Sequence, residues 1–332
     1  MNTNENHNFR LPAEWEPQSG VILIWPHEDT DWRPYLEEIT EVYLQIADAI
    51  TRYEALLITA RDTEMVSSLL KGRLTEEQMK RVTLFTCDNN DTWARDVAPI
   101  SLIANKASKD SSQPLRLLDF CFNGWGEKFA AEKDNRINRQ LHEAGLLQGV
   151  LESHKDFVLE GGSIESDGSH TLFTTTSCLM APHRNQPLTQ EDIDKQLRLF
   201  FPNVERVIWL DYGQLAGDDT DGHIDTIVRI APNNTLLYIG CNDKEDEHYE
   251  DFRLLEEQLK QLRTQKGKPY RLLRLPMPDA IYDDDERLPA THANFLIING
   301  AVLVPTYNQP EKDKEALDTI QEAFPDREII GI

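Results

Sequence analysis

Residues 217–225 read Gly-Asp-Asp-Thr-Asp-Gly-His-Ile-Asp, and the apolar stretch Thr226-Ile227-Val228 follows at once. Four carboxylates and one imidazole thus lie within nine residues, directly before a predicted strand. The glycines on either side let the backbone turn tightly. If Gly222 leads into the strand, His223 and Asp225 share a face, because alternate side chains of a strand point the same way. An imidazole beside a carboxylate is a usable acid–base and cation-binding pair.

Two other interpretations of this segment stay open. It could be a solvated acidic loop, or a divalent-metal loop built on Asp218, Asp219, Asp221 and Asp225. An EF-hand would need a helix on each side and a glutamate at its twelfth position, whereas this segment runs into a predicted strand. A non-catalytic cation- or metal-binding protein is therefore the alternative from another functional class.

A second segment, residues 90–96, reads Asn-Asp-Thr-Trp-Ala-Arg-Asp. A tryptophan beside a carboxylate suits a planar cation, because the Trp93 ring can stack on a guanidinium. The Asp96 carboxylate can accept two parallel N–H bonds from the same group. The structural alternative is a core tryptophan next to a surface ion pair between Arg95 and Asp96.

Two glycine-containing segments add weaker candidates. Residues 159–165 read Leu-Glu-Gly-Gly-Ser-Ile-Glu, in which the glycine pair allows close backbone approach and Glu160 can face a pocket. An ordinary turn explains one glycine pair equally well. Residues 122–126, Phe-Asn-Gly-Trp-Gly, form an aromatic turn in which Trp125 could line the mouth of a site or sit half-buried at the surface.

Short β-branched runs alternate with helical patterns along the whole chain, which favours a mixed α/β fold in a single domain over residues 1–332. Apolar residues spaced by three and four predict a helix over Pro34–Ala49. Thr189 and Asp192 resemble a capping box that opens a helix to about Phe201. Further helices are predicted near Glu245–Arg263 and Glu311–Phe324. The predicted strands are Val21–Trp25, Ala55–Thr59, Val82–Phe85, Leu115–Phe122, Thr171–Thr175, Arg206–Leu210, Thr226–Ile230, Thr235–Gly240, Arg271–Leu275, Asn294–Ile298 and Ala301–Pro305, and residues 104–114 are predicted to be a loop.

Composition restricts the classes of partner. Lys plus Arg number 34 against 58 for Asp plus Glu, a formal net charge of −24. This balance argues against nucleic acid and against anionic membranes, and it suits a cationic ligand. The four cysteines lack metal-finger spacing and predict free thiols in a reducing compartment. Met1 to Arg10 is too polar for a signal peptide, so we expect a cytoplasmic protein.

All four segments occur in the order found in agmatine deiminases, and the chain resembles that family over essentially its whole length. The similarity extends to three flanking stretches. These are Leu11–Pro17 with Trp25-Pro26-His27, then His183–Pro187, and finally Leu288–Ala290 with Asn294-Phe295 and Val304–Asn308.

The resemblance implies a pentein β/α-propeller of about five ββαβ modules around a central active site, without metal or organic cofactor. It implies hydrolysis of agmatine to N-carbamoylputrescine and ammonia, on a route to putrescine, by a protein that is commonly a homodimer. Asp96 and Asp225 would hold the guanidinium, His223 would be the general acid and base, and Glu160 would support it. Weaker assignments to the pocket lining are Trp93, Asp219, Trp125 and Asn308.

The resemblance also predicts a nucleophilic cysteine in a segment beyond Ile332, after the predicted strand Glu328–Ile330. The chain of 332 residues would then bind agmatine weakly without turning it over, and none of its four cysteines is expected to replace that nucleophile. An arginine, peptidylarginine or dimethylarginine hydrolase of the same fold is the alternative enzyme. An arginine-specific relative should present a basic residue to the α-carboxylate that agmatine lacks.

Overall fold

The computed structural model describes residues 8–105 and 115–332. The predicted loop over residues 104–114 therefore lies mostly outside the described residues. Within them, the strands are β1 (Phe9–Arg10), β2 (Gly20–Ile24), β3 (Ala55–Ala60), β4 (Val82–Thr86), β5 (Ile100–Ala104), β6 (Arg116–Cys121), β7 (Val150–Val158), β8 (Ile164–Ser166), β9 (Thr171–Thr175), β10 (Arg206–Leu210), β11 (Val228–Ala231), β12 (Thr235–Gly240), β13 (Arg271–Pro276), β14 (Tyr282–Asp283), β15 (Glu286–Arg287), β16 (Leu296–Ile298), β17 (Ala301–Val304) and β18 (Glu328–Gly331).

The helices of the described residues connect these strands, and most are amphipathic. They are α1 (Leu36–Tyr53), α2 (Thr63–Arg73), α3 (Glu76–Met79), α4 (Ala94–Val97), α5 (Gly124–Glu127), α6 (Asp134–Glu143), α7 (Thr176–Leu179), α8 (Gln190–Phe200), α9 (Tyr249–Gln261) and α10 (Pro310–Ala323), with short 3₁₀ segments at Arg33–Tyr35, Gly161–Ser163 and Ile224–Thr226. The capping box predicted at Thr189 is confirmed, because its hydroxyl accepts from the Asp192 N–H while the Asp192 carboxylate accepts from the Thr189 N–H. No helix of the described residues is long and apolar enough to cross a lipid bilayer.

Four three-stranded units repeat one ββαβ pattern. In each unit the first strand pairs antiparallel with the second, and a helical connection then leads to a third strand that lies parallel to the second. The units are β5–β7, β8–β10, β11–β13 and β16–β18. The parallel step requires a crossover connection, which explains why the long helices precede third strands.

A fifth unit, β2–β4, departs from this pattern. Its strands are all parallel, with α1 between β2 and β3 and the helices α2 and α3 between β3 and β4. Strand β1 pairs antiparallel with the free edge of β5, and β14 and β15 form a separate hairpin. The five units match the predicted number of modules.

The helices bury their apolar stripes against the sheets, either that of their own unit or that of a neighbouring one. In α1 the stripe includes Tyr43, Leu44, Ala47 and Ile50, which pack with Leu56 and Ile58 of β3. Full burial of a Leu or Ile side chain is worth about 1.5–3 kcal/mol, so these stripes hold the units rigid. The loops that leave the sheets can therefore be positioned accurately.

The predicted strand Thr226–Ile230 is wrong at its start. Residues Ile224–Thr226 form a 3₁₀ turn, and the strand begins only at Val228. The Thr226 hydroxyl donates to the His223 carbonyl at 2.8 Å and stabilises this turn. Strands β5 and β7 were not predicted, because their alternation of buried and exposed residues is weak. The strand predicted at the end of the chain is confirmed as β18.

Candidate active site

The site is built from segments that follow the third strand of a unit. Asp96 lies on α4, after β4, and Glu160 directly follows β7. His223 and Asp225 follow β10. Three successive units thus each send the segment after their third strand to the same place, which the local sequence pattern could not reveal.

These segments converge on Gly162. A Cβ atom at this position would lie 2.6 Å from Nδ1 of His223 and 2.9 Å from both Oδ2 of Asp225 and Oδ1 of Asp96. The Gly162 N–H itself donates to Oδ1 of Asp96 at 2.9 Å. Because any side chain would displace all three groups, glycine is required here by close approach.

The adjacent Gly161 has a related role. A Cβ atom there would lie 2.1 Å from the carbonyl oxygen of Arg95, so the 3₁₀ turn packs directly on the backbone of α4. Arg95 pairs with Glu14 at 2.9 Å, not with Asp96. The surface ion pair considered for Arg95 and Asp96 is therefore wrong, and Asp96 is left free to face the site.

The groups at the centre are buried, and the pKa values of Asp225 and His223 are shifted from their ordinary values. Burial raises the pKa of Asp225 to about 7, with a further increase from Asp96, while His223 and nearby arginines oppose it. Burial alone would lower the pKa of His223, but Asp96, the Cys178 thiol and Glu160 raise it well above its ordinary value. Nδ1 of His223 lies 3.7 Å from Oδ1 of Asp96. The Asp96 carboxylate thus favours the protonated form of the imidazole.

A buried network of ion pairs lies next to these groups and holds the segments that carry them. Arg229 pairs with Glu165 at 2.6 Å and with Glu14 at 2.6 Å, and its guanidinium lies 4.4 Å from the centroid of the Phe295 ring. Glu14 also holds Arg95, so the network joins the N-terminal segment to the strand that follows Asp225. Its charges are compensated, as burial requires.

The acidic loop 217–222 is organised by its own carboxylates. The Asp218 carboxylate accepts from the backbone N–H of Thr220 at 3.0 Å and from that of Gly222 at 2.7 Å. Asp221 pairs with Lys128 at 2.7 Å and with Arg184 at 2.6 Å. Both aspartates are therefore occupied by the protein itself, which weakens the metal-loop interpretation.

One group of potential metal ligands occurs among the described residues. A ring nitrogen of His223, Sγ of Cys178 and a carboxylate oxygen of Glu160 lie within 4.8 Å of one another. The group contains none of the four loop aspartates. The Arg184 guanidinium donates to Glu160 at 3.0 Å and would oppose a cation here. The arrangement fits support of the imidazole better than metal binding.

Aromatic side chains form one wall beside Asp96. The Trp125 indole N–H donates to Oδ2 of Asp96 at 3.1 Å, and the ring centroids of Trp93 and Trp125 lie 5.6 Å apart. Trp93 is partly exposed and donates to Asp91 at 2.9 Å. Burial and the charge of Asp31 raise the pKa of Asp91 to about 6. The wall thus offers π faces and carboxylates to a cation.

Two predicted lining residues, Asp219 and Asn308, make no hydrogen bond to the central group of described residues. Asp219 is largely exposed. Partial burial of its carboxyl raises its pKa, as do the charges of Asp218, Asp31 and Asp221, whereas Lys128 lowers it. Asn308 is exposed on a turn where the Asp313 carboxylate accepts from the flanking backbone N–H groups. The side chain of Asn308 makes no hydrogen bond to the described residues. The structure therefore does not join Asn308 to the central group.

Sequence reasoning missed Gly162, Cys178 and Arg184 as parts of the site. The sequence signals for these residues are the glycine pair and the flanking stretch His183–Pro187, which carries the family resemblance but indicates no role for Arg184. Cys178 was interpreted as a small buried residue, and it is indeed buried, but its thiol lies beside His223.

A family model described as Porphyromonas-type peptidyl-arginine deiminase matches residues 10–332. The chain belongs to this family. Its solved relatives have the same fold. One is a Campylobacter jejuni agmatine deiminase, a cysteine-to-serine variant with substrate bound. It superposes with a TM-score of 0.87 at 36% identity, covering 98% of this chain and 90% of that one. The predicted pentein β/α-propeller of five modules is thereby confirmed for this member of the family.

Other members of the family carry different names. A Porphyromonas gingivalis protein, described provisionally as an arginine deiminase, superposes with a TM-score of 0.89 at 48% identity, covering 98% of this chain and 92% of that one. The agmatine deiminase of Pseudomonas aeruginosa strain LESB58 is 30% identical over 347 residues, covering 98% of this chain and 90% of that protein.

Proposed function

We propose that this protein is an agmatine deiminase, which hydrolyses the guanidinium group of agmatine to N-carbamoylputrescine and ammonia. The observation that carries the proposal is the convergence of Asp96, Asp225 and His223 within 3 Å of a single point beside Gly162. Relatives named agmatine deiminase that cover 98% of the chain support the same reaction. The activity is that of a hydrolase acting on a C–N bond.

Two carboxylates suit a guanidinium, because each can accept parallel N–H bonds from one edge of the planar cation. Asp96 is already oriented by Trp125 and by the Gly162 N–H, so little reorganisation is needed when the substrate binds. Fixed orientation of the reacting carbon removes much of the entropic barrier to attack. Binding of the cation also favours the ionised form of Asp225, whose pKa is about 7.

A resonance-stabilised guanidinium carbon needs a strong nucleophile, and a thiolate meets this requirement. Attack forms the C–S bond, and the His223 imidazolium gives a proton to the departing amino group, which leaves as ammonia. The resulting S-alkylthiouronium is attacked by water that the same imidazole deprotonates. Collapse of the second adduct breaks the C–S bond, regenerates the thiolate and leaves the ureido product.

We place the nucleophile after Ile332, and the module pattern supports this position. Strand β18 is the third strand of its unit, and the segments after β4, β7 and β10 carry Asp96, Glu160 and the pair His223 and Asp225. Cys178 is a poor substitute, because it is fully buried and burial raises the pKa of its thiol, although His223 and Arg184 oppose the increase. The reducing conditions that free thiols need fit a cytoplasmic role on the route to putrescine.

The test uses the full-length gene product and a haloacetamidine, an amidine-bearing alkylating mimic of the substrate. We expect a protein heavier than 38.2 kDa that gains one adduct, and excess agmatine should block this adduct. Asp225→Asn is the control, because it retains the thiol but loses one guanidinium partner and should react slowly. An intact mass near 38.2 kDa without a protected adduct would exclude the proposed chemistry.

Arginine is the second candidate substrate, because the P. gingivalis relative with 48% identity is described provisionally as an arginine deiminase. The charges near the site favour agmatine. The Asp31 carboxylate raises the pKa of both Asp91 and Asp219, and an α-carboxylate would be repelled beside these carboxylates. The ratio of kcat/KM for agmatine to kcat/KM for arginine separates the two, and a ratio below one would favour arginine.

A further inference from the structure

Arg184 lies between Glu160 and the loop that precedes His223. Its side chain is fully buried, and its guanidinium makes three hydrogen bonds in different directions. Nε donates to Oε1 of Glu160 at 3.0 Å, Nη1 to Oδ2 of Asp221 at 2.6 Å, and Nη2 to the carbonyl of Thr220 at 2.6 Å. One side chain thus joins the segment after β7 to the loop that leads into His223.

The contact with Glu160 leaves a specific pair of atoms free. Oε2 of Glu160 and Nε2 of His223 are both buried and form no hydrogen bond within the described residues. A Glu160 oxygen and a ring nitrogen of His223 lie within 4.8 Å of each other. Because the Arg184 guanidinium holds Oε1 of Glu160, the carboxylate has little freedom to rotate, and the direction of Oε2 is restricted.

We propose that Arg184 is a positioning residue: it fixes the Glu160 carboxylate, and through it the orientation of the His223 imidazole. The hydrogen bonds of Arg184 go to Glu160, Asp221 and Thr220 and not to Asp96 or Asp225, so its effect reaches the reaction through Glu160 and His223. The inference rests on the proposed acid–base role of His223. Arginine is required because only its fork reaches three acceptors while remaining charged in a buried place.

Lys128 provides a matched control. It donates to Oδ1 of Asp221 and to the carbonyl of Asp219, so it holds the same loop through one carboxylate and one backbone carbonyl, as Arg184 does. Lys128 is partly exposed, however, and its ammonium has no recorded contact with Glu160. Loss of the loop contact can therefore be separated from loss of the Glu160 contact.

Four variants of the full-length gene product test the proposal: Arg184→Met, Lys128→Met, Glu160→Gln and the double variant of Arg184→Met with Glu160→Gln. We expect Arg184→Met to lower kcat for agmatine on the order of tenfold to a hundredfold, by analogy with the outer partners of metal-ligating histidines, with little change in KM. Lys128→Met should change kcat by less than about fivefold, because exposed ion pairs contribute little.

The double variant decides how Arg184 acts. If it acts through Glu160, the double variant should have the kcat of Glu160→Gln alone, because residues in one chain of contacts are not additive. Losses that multiply, or equal losses in Arg184→Met and Lys128→Met, would overturn the proposal in favour of a general role in holding the loop. The double variant also removes both members of the buried pair, so it should fold even if Arg184→Met alone does not.

A second readout needs no turnover. The imidazole resonances of His223, assigned with His223→Asn in ring-labelled protein, should move in Arg184→Met and stay in place in Lys128→Met. In the Glu160→Gln background, Arg184→Met should cause no further change. This arm tests Arg184 even if agmatine proves not to be the substrate, and unchanged His223 resonances in Arg184→Met would refute the proposal.

Discussion

Replacing Gly162 with alanine should disable the site while leaving the fold in place. The new Cβ atom would lie 2.6 Å from Nδ1 of His223 and 2.9 Å from the nearest oxygens of Asp96 and Asp225. An ordinary contact begins at 3.4 Å, so these groups must move by about 0.5–0.8 Å. Gly162 has no positive φ, so the backbone itself accepts alanine without strain.

The magnitude follows from these displacements. A misplacement of about 1 Å costs on the order of a hundredfold in rate, because both carboxylates and the imidazole must meet one planar group. We therefore expect kcat/KM for agmatine to fall about a hundredfold in Gly162→Ala. Overpacking of a buried site costs about 1–3 kcal/mol of stability, a loss that a chain of this size should tolerate.

The assay combines ammonia release, calorimetric titration with agmatine and urea unfolding, all on the full-length gene product. Gly72→Ala is the control: Gly72 lies in α2 with nothing within 4 Å of its Cβ position. The control should leave binding unchanged and raise the free energy of unfolding by up to about 1 kcal/mol, because glycine is unfavourable inside a helix. Affinity and turnover close to those of the parent in Gly162→Ala would refute the assigned geometry.

Three further predictions follow from neighbouring contacts. Agmatine affinity should rise as pH increases through about 7, because the carboxyl of Asp225, whose pKa burial raises to about 7, must ionise to bind the cation; calorimetry between pH 6 and 8 checks this, and an affinity independent of pH would contradict it. Trp125→Phe keeps a ring but removes the N–H donor to Asp96 at 3.1 Å, so agmatine should bind roughly tenfold more weakly, and an unchanged Kd would show that this hydrogen bond does not orient Asp96. Arg229→Met leaves Glu165 buried without its cation and should cost about 3–5 kcal/mol in urea unfolding, whereas a loss below 1 kcal/mol would mean that the network is not needed.

Sequence patterns predicted most elements correctly where the periodicity was strong. The buried stripe of α1 and the capping box at Thr189 are local signals, and both were confirmed. Strand β7 was missed, because a half-buried strand with charged residues resembles a loop to a local pattern, and β5 was missed because its five residues show little alternation of burial. The first residues after His223 were predicted to be extended, whereas a 3₁₀ turn forms because the Thr226 hydroxyl caps it.

Candidate site residues were also named from the sequence, but the sequence did not show which of them lie in contact. Asp96, Glu160, His223 and Asp225 were named because their types and neighbours suit a guanidinium, and the structure brings all four together. The sequence did not show which aspartates of loop 217–222 face the site and which hold the loop. Only the positions of Lys128 and Arg184 show that Asp221 holds the loop.

The sequence by itself determined the residue types of the site, the order of its segments and the alternation of strands and helices, because these depend on local periodicity and on chemical identity. Tertiary structure decided which residues meet. Asp96, Glu160 and His223 lie more than 60 residues apart along the chain, and their contact depends on equivalent strands of successive modules ending at the same place. The same long-range packing raises the pKa of Asp225 and gives Gly162 and Arg184 their roles, since burial and close approach are properties of the folded chain alone.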